Sequence, residues 1–487
     1  MSKQILLGLT FFFYFFSGYS QNFSTGCLFS KEKYENVLAA PMLTSRSYED
    51  LPVSYTLRQF APIPDDQGKQ SSCVGWASAY GARTILESVA IGRTNANSSK
   101  DSAFSPSFVY NQIKLSRYDC DNGSYISDAV ELLKVKGALR LAEFPYNCGQ
   151  PTSLIHFQKA KNHIISDYVR LTNSVYDDKQ TVLKTIKKGL VDNSPIVIGI
   201  MTYQSFFTTK NVWSGVKDSP VGGHAMCLIG YDDSKYGGAF EILNSWGSQW
   251  GENGYCWIRY DDFLDIAGEV YQVIGMQKPL PVDPEPIDPK PIEPLPVVED
   301  KSDLQGSIRL VKDNKADIQV TLTKGAERDF EIVEIEKPVY KAQNAIYSGD
   351  KFRIYFASNK SAYVYIISYG TKTKKAKPVY PFKNISAYIP SGNSEVAIPN
   401  ENYYIQVDNN TGTDYLTFLY CKYPIDIQSI CNKINASDGS FISRMKKSLS
   451  GKILFSKDVE FTEGNAGFKA NVTSRYVLPI SIEFEHK

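Results

Sequence analysis

Between Pro279 and Pro296 the chain reads PLPVDPEPIDPKPIEPLP, with proline at nearly every second or third position. Each proline removes a backbone donor and fixes φ, so the run can enter neither a helix interior nor the middle of a sheet. An extended, semi-rigid spacer is expected, a proline-motif ligand being the alternative reading. The spacer divides the 487 residues into two parts, each of which needs a core of its own.

The N-terminus, MSKQILLGLTFFFYFFSGYS, places Lys3 before an apolar run, Ile5 to Phe16, and ends in small residues. That run is short for a bilayer core of about 30 Å, so it reads as a secretory signal removed on export, with an uncleaved anchor as the rival. No other segment is apolar enough to cross a membrane. An exported chain, whether secreted, periplasmic or surface-associated, holds its eight cysteines under oxidising conditions, where pairing is the default. Cys120 and Cys148, flanking a helix-like segment, form one expected bridge, and Cys421 with Cys431 a second. Cys227 and Cys256 lie in apolar strand-like runs and read as buried thiols; Cys27 has no evident partner. A net charge of +1 gives no reason to expect nucleic acid or an anionic surface as partner.

The periodicities divide the chain into a signal (1–20), a short extension (21–50), an α+β region (51–277), the linker (278–305) and an all-β sandwich (306–487). In the α+β region, helix-like segments at 76–89, 127–136 and 180–190 are followed by strand-like ones at 196–201, 224–231, 239–243 and 255–260. In the tail, alternating runs at 318–322, 352–356, 363–367, 403–407 and 453–455 are separated by turn residues. No cofactor or metal-ligand set is apparent, and the tail's tyrosines suit contact with peptide, glycan or a cell surface.

The chemistry turns on QGKQSSCVGWAS, Gln67 to Ser78, where Cys73 opens an apolar helix-like run. A cysteine there is a disulfide partner, a small buried hydrophobe or a nucleophile. A nucleophile needs a base, a group to orient that base, and donors for the oxyanion formed on attack. The chain has four histidines. His486 beside the C-terminus, and His156 and His163 in a lysine-bearing stretch, are expected to be exposed. His224 instead sits in VGGHAMCLIGYDD, a strand pattern entered through two glycines. Downstream, Asn244 ends a strand able to pair with that of His224, so its amide can orient the imidazole, and Trp246 can shield the bond from water.

Gln67, Cys73, the Gly223-His224 pair and the run NSWGSQWGENGY from Asn244 to Tyr255 together resemble papain-like cysteine peptidases, over roughly residues 51–276. The resemblance implies a two-lobed domain, helical lobe then β lobe, with no cofactor and a protein or peptide substrate. It makes Cys73 the nucleophile, His224 the base and then acid, and Asn244 the orienting residue. Gln67 and the Cys73 N–H become the oxyanion donors, and Gly123 and Gly223 contacts for an extended peptide. A helix N-terminus and a nearby imidazolium then favour a thiolate–imidazolium pair at neutral pH. Gly75, early in the helix, is expected to mark close packing. The family usually carries a cysteine three residues before the nucleophile and an aromatic directly after it; here Gln70 and Val74 stand there, which leaves the wall beside the nucleophile and the substrate preference open. The extension is much shorter than the family's inhibitory pro-segment, so latency by a large prodomain is not expected, and with no segment seen to block the cleft, endopeptidase action is the default. The competing readings are a catalytically inactive peptide-binding module on the same fold and an acyl-transfer enzyme such as a transglutaminase.

Overall fold

A computed structural model describes residues 23–172, 178–276, 302–323, 339–462, 465–472 and 475–487. The expected signal and the proline run lie outside the described residues. Among those described, no helix is long and apolar enough to cross a membrane.

Cys27–Leu28 (β1) and Lys31–Asn36 (α1) belong to the N-terminal extension. The central helix, α2, is built from Cys73–Gly75, a wider-wound Trp76–Arg83 and Thr84–Ile91, and closes on Gly92 with φ of 67°. Every residue from Cys73 to Ser88 is buried, so α2 is enclosed on all sides instead of presenting one apolar stripe. Small residues make this possible. A Cβ on Gly75 would lie 2.5 Å from the Pro106 carbonyl oxygen, as close packing there requires, and one on Gly81 would lie 2.9 Å from Cys227 Cβ. The charges inside are paired: Glu87 binds Arg140 and Arg93, while Arg83 donates to the His163 carbonyl at 2.9 Å and stacks 4.2 Å from the Phe104 ring. Burial pushes the Arg83 guanidinium down to about 9.

Against α2 stands a seven-stranded antiparallel sheet in the order 165–170, 267–276, 196–203, 220–232, 239–243, 255–259, with 54–56 on the 220–232 strand. The four strand-like segments expected from the sequence are all present as strands. The three expected helices appear as α2, Ile126–Val135 and Lys179–Val191. Cys120 and Cys148 are bridged, with Cα atoms 6.0 Å apart.

The C-terminal part packs a six-stranded sheet on a seven-stranded one. Alternation is clean in Lys351–Ser358, where every second residue is buried. It is β-rich but not all-β: helices Ile427–Asn435 and Phe441–Ser448 follow the Gly412–Cys421 strand. Their serine and aspartate N-caps, Asp426 and Ser440, are the signals that alternation overlooks. The segment 453–455 forms no strand, and 403–407 and 318–322 contract to Ile405–Gln406 and Val320–Leu322. Cys421 and Cys431 are free and buried, one closing a strand and the other inside the first of these helices, so the second expected bridge is absent. His486 is also buried, its Nδ1 2.8 Å from Asp414 and its Nε2 3.1 Å from the Ser348 hydroxyl; the last strand runs to residue 486 and carries the ring into the sheet. His156 and His163 are half-buried: the first caps its own helix through Ser153, and the second packs on Phe104.

The two parts share one apolar cluster, in which Tyr363, Tyr365 and Ile367 of the tail join the core around α2. Asp192 accepts hydrogen bonds across this boundary from Tyr388 and from the Ser391 N–H, the latter at 2.8 Å, and Lys188 donates to the Gly392 carbonyl at 2.7 Å. The N-terminal extension runs along the same boundary: Ala39 donates to the Asn384 carbonyl, and Thr44 to that of Glu395, each at 2.8 Å.

Because Pro106 backbone cannot yield to a methyl group, Gly75→Ala is expected to destabilise the protein by about 2 kcal/mol, although alanine is worth about 1 kcal/mol more than glycine in a free helix. Denaturant unfolding of the two proteins measures this; an unchanged or higher midpoint would contradict the packing.

Candidate active site

The first turn of α2 places the Cys73 sulfur beneath the backbone N–H of Ala225, the residue next to His224. Its own N–H and that of Val74 also point to the sulfur, as the free donors of a helix N-terminus do. On the strand, His224 Nε2 lies 2.7 Å from Asn244 Oδ1. The Ser245 N–H donates to the same oxygen at 2.8 Å, which fixes the amide with its oxygen toward the ring. Nε2 therefore carries the proton and Nδ1 is left bare; Nδ1 is buried without a hydrogen-bond partner among the described residues. Trp246 stacks on the imidazole with centroids 4.4 Å apart, covering the bond as its position predicts. Gln67 is fully buried: its Oε1 accepts from the Ser245 hydroxyl at 2.6 Å and its Nε2 donates to the Gln70 carbonyl at 2.9 Å, so the side chain is locked near the mouth of α2. The structure thus gathers Gln67, Cys73, His224, Asn244 and Trp246 around one helix end, and it holds no group of three or more metal-ligating side chains among the described residues.

What sequence reading missed is that Phe23 to Ser30 lies across this site. Phe23 stacks on Trp246 at 4.8 Å, and the Trp246 indole donates to the Ser24 carbonyl at 2.9 Å. The Gly26 N–H donates to the Gly223 carbonyl at 3.0 Å, and its carbonyl accepts from Ser124 at 2.9 Å, so β1 pairs in parallel with Ser124–Tyr125. Gly123 and Gly223, the two expected peptide contacts, both touch this segment: a Cβ on either would lie within 2.3 Å of a carbonyl oxygen of Gly26 or Cys27. The N–H of Cys27 is aimed at the Cys73 sulfur. The Phe29 ring spreads over Gly199, Gly223 and Gly268, where added Cβ atoms would come within 2.9 Å. Ser30 N–H donates to Glu269 at 3.2 Å, and Tyr34 of α1 packs edge-on to Tyr271. The cleft is therefore filled, contrary to expectation, by the extension itself. A signal existed: Phe23, Leu28 and Phe29 are apolar residues in a stretch with no core of its own to join.

Filling the cleft changes its electrostatics. Burial pushes the Cys73 thiol up to about 12, against the lowering effect of the surrounding N–H groups, and pushes His224 down to about 4, against the Asn244 bond. In this covered state the neutral thiol and neutral imidazole are favoured, not the ion pair expected from the sequence, because the covering segment removes the water that would solvate either charge.

A cysteine at a helix N-terminus set against an amide-held histidine is the layout of cysteine-type peptidases. Residues 54–274 match the family described as papain family cysteine protease. Among curated relatives, an uncharacterized peptidase C1-like protein of Acanthamoeba polyphaga mimivirus is 27% identical over 249 residues, covering 46% of this chain and 76% of its own. A cathepsin B-like protein of Giardia intestinalis is 27% identical over 232 residues, covering 45% and 72%. The chain is a cysteine-type peptidase, and the region that matches the papain family ends at residue 274 of 487. Among solved structures, xylellain, a cysteine protease from Xylella fastidiosa, matches 52% of this chain and 96% of its own at 22% identity and a TM-score of 0.43.

The displaced His224 pKa makes the covering pH-sensitive. In Cys73→Ala, where no thiolate can hold a proton on the ring, His224 is neutral above pH 6.5 whether covered or hydrated, and nothing is gained by opening. Between 6.5 and about 4 the hydrated ring takes up a proton that the covered ring refuses, so the covered state weakens as pH falls, by up to roughly 3 kcal/mol. Glu269, pushed up by burial, acts in the opposite sense. Hydrogen exchange at the Gly26 amide, corrected for intrinsic rate, is therefore expected to gain protection between pH 4 and 6.5 in Cys73→Ala relative to the Cys73→Ala/His224→Gln double variant; identical pH profiles would contradict the assignment.

Proposed function

We propose that the chain is an exported endopeptidase that hydrolyses peptide bonds through Cys73, His224 and Asn244, and that Phe23 to Ser30 keeps it latent. Once the segment leaves, water returns, His224 takes the Cys73 proton, the helix N-terminus and the imidazolium stabilise the thiolate, and the sulfur attacks the substrate carbonyl. Gln67 Nε2 and the Cys73 N–H hold the oxyanion, and His224, oriented by Asn244, protonates the leaving amine. Water then hydrolyses the thioester, with His224 as base. A substrate strand takes over the backbone contacts of the segment, on the Gly223 carbonyl and the Ser124 N–H. The chain would divide into a signal, the covering extension, the peptidase unit, a proline-rich spacer and the β-rich C-terminal domain.

One observation carries this reading: the strand that holds His224 on the Asn244 amide, beneath Trp246, presents its next N–H to the Cys73 sulfur at the mouth of a buried helix. Deletion of residues 23–30 is expected to raise hydrolysis of a peptide library at least tenfold, and Cys73→Ala in that background to lower it by at least roughly a thousandfold. A folded, uncovered protein that neither cleaves the library nor forms an epoxide adduct at Cys73 would instead be a peptide-binding module.

A further inference from the structure

Cys27 is a nucleophilic side chain that the proposed hydrolysis does not use, and it occupies a special place. It is the most buried residue of the covering segment, at 4% exposure, while its neighbours Gly26 and Leu28 are half-buried. Its backbone is fixed on both sides, by the Gly26 bond to the Gly223 carbonyl and by the pairing of β1 with Ser124–Tyr125. Its N–H is directed at the Cys73 sulfur. Its own sulfur packs over Gly199, 3.1 Å from where a Cβ would stand, and its one hydrogen bond is a weak 3.8 Å contact with the adjacent Leu28 carbonyl. Burial above all holds the Cys27 thiol up, and the nearby Cys73 adds to it. The residue at this buried place is one that can bond to sulfur.

We propose that Cys27 and Cys73 form a reversible disulfide that converts the covering segment from a non-covalent plug into a covalent lock. The inference rests on the reading of Cys73 as the nucleophile. The step is thiol–disulfide exchange with a small-molecule disulfide such as oxidised glutathione, during a transient opening of the segment. The Cys73 thiolate attacks one sulfur of the reagent and expels a thiolate, which takes up the proton that Cys73 lost. The Cys27 thiolate then attacks the Cys73 sulfur and expels the second reagent thiol. Two protein thiols and one reagent disulfide become one protein disulfide and two reagent thiols. A loop of 46 residues is closed, long enough for the link to oppose displacement of the segment strongly, because breaking the non-covalent contacts no longer frees it. An exported peptidase would then stay locked where disulfides form and be released by a thiol donor.

The test treats the full chain with oxidised glutathione, blocks free thiols and digests it with trypsin. The expected product joins the peptide Gln70–Arg83 to the one ending at Lys31, two hydrogens lighter than their sum. Peptide hydrolysis should fall at least tenfold with the oxidant and return with a dithiol. In Cys27→Ser the same treatment should leave glutathione on Cys73 and no linked pair. Wild type in which Cys73 stays free, or carries glutathione beside a free Cys27, overturns the lock. Because the linked mass is read without any turnover, this result stands apart from the catalytic reading, which fails if Cys73→Ala still hydrolyses peptides.

Discussion

The close approach of a buried helix to one strand is the constraint on which the rest depends. Helix α2 can reach the strand of His224 only because Gly81 meets Cys227 with no side chain between them, and Gly75 meets Pro106 in the same way. Larger residues at these points would lift the helix end by a side-chain thickness, and the Cys73 sulfur would no longer sit under the Ala225 N–H. The same enclosure explains the internal pairs: Arg83 and Glu87 lie on a helix with no solvent side, so each needs a counter-charge or a carbonyl. Precision at the helix mouth is thus inherited from packing several residues away.

Burial then decides the chemical state of the site. A helix N-terminus and four surrounding N–H groups favour a thiolate, yet with the segment in place the cost of an unsolvated charge outweighs them and the thiol is held up at about 12. Covering the cleft therefore blocks access and also disfavours the ionised form of the Cys73 thiol. The aromatic stack of Phe23, Trp246 and His224 is continuous across the boundary between segment and site, so the tryptophan that protects the histidine from water is also the platform on which the plug is seated.

The peptidase region was legible because its information is local. Short apolar strand-like runs at 196–201 and 239–243 located the strands Ile196–Tyr203 and Ala239–Leu243, and the asparagine and tryptophan after the second strand fell where strand geometry put them. The glycine at 75 announced a tight contact without saying with what. What escaped was information held in long-range pairing. Phe23 and Phe29 raised no expectation because their partners, Trp246 and Gly268, lie more than two hundred positions away. Proximity in sequence also misled: Cys421 and Cys431 are near neighbours along the chain, but a strand and a helix carry them, and neither is bonded. The tail helices were hidden because their caps are the same serine and aspartate that mark turns.

The covering segment is held at two distant places. Beyond α1 it continues to the edge of the C-terminal sheet, where Leu43 lies beside Val396 and Thr44 bonds to Glu395. Such a segment, once it leaves the cleft, remains on a leash of about a dozen residues, and its effective concentration at the site is of millimolar order. Any free peptide competing for the groove meets that opponent continuously, so permanent exposure requires the leash to be cut or the anchorage at the sheet edge to let go. The β-rich half would then act at a distance as the tether of an inhibitor that the chain carries with it.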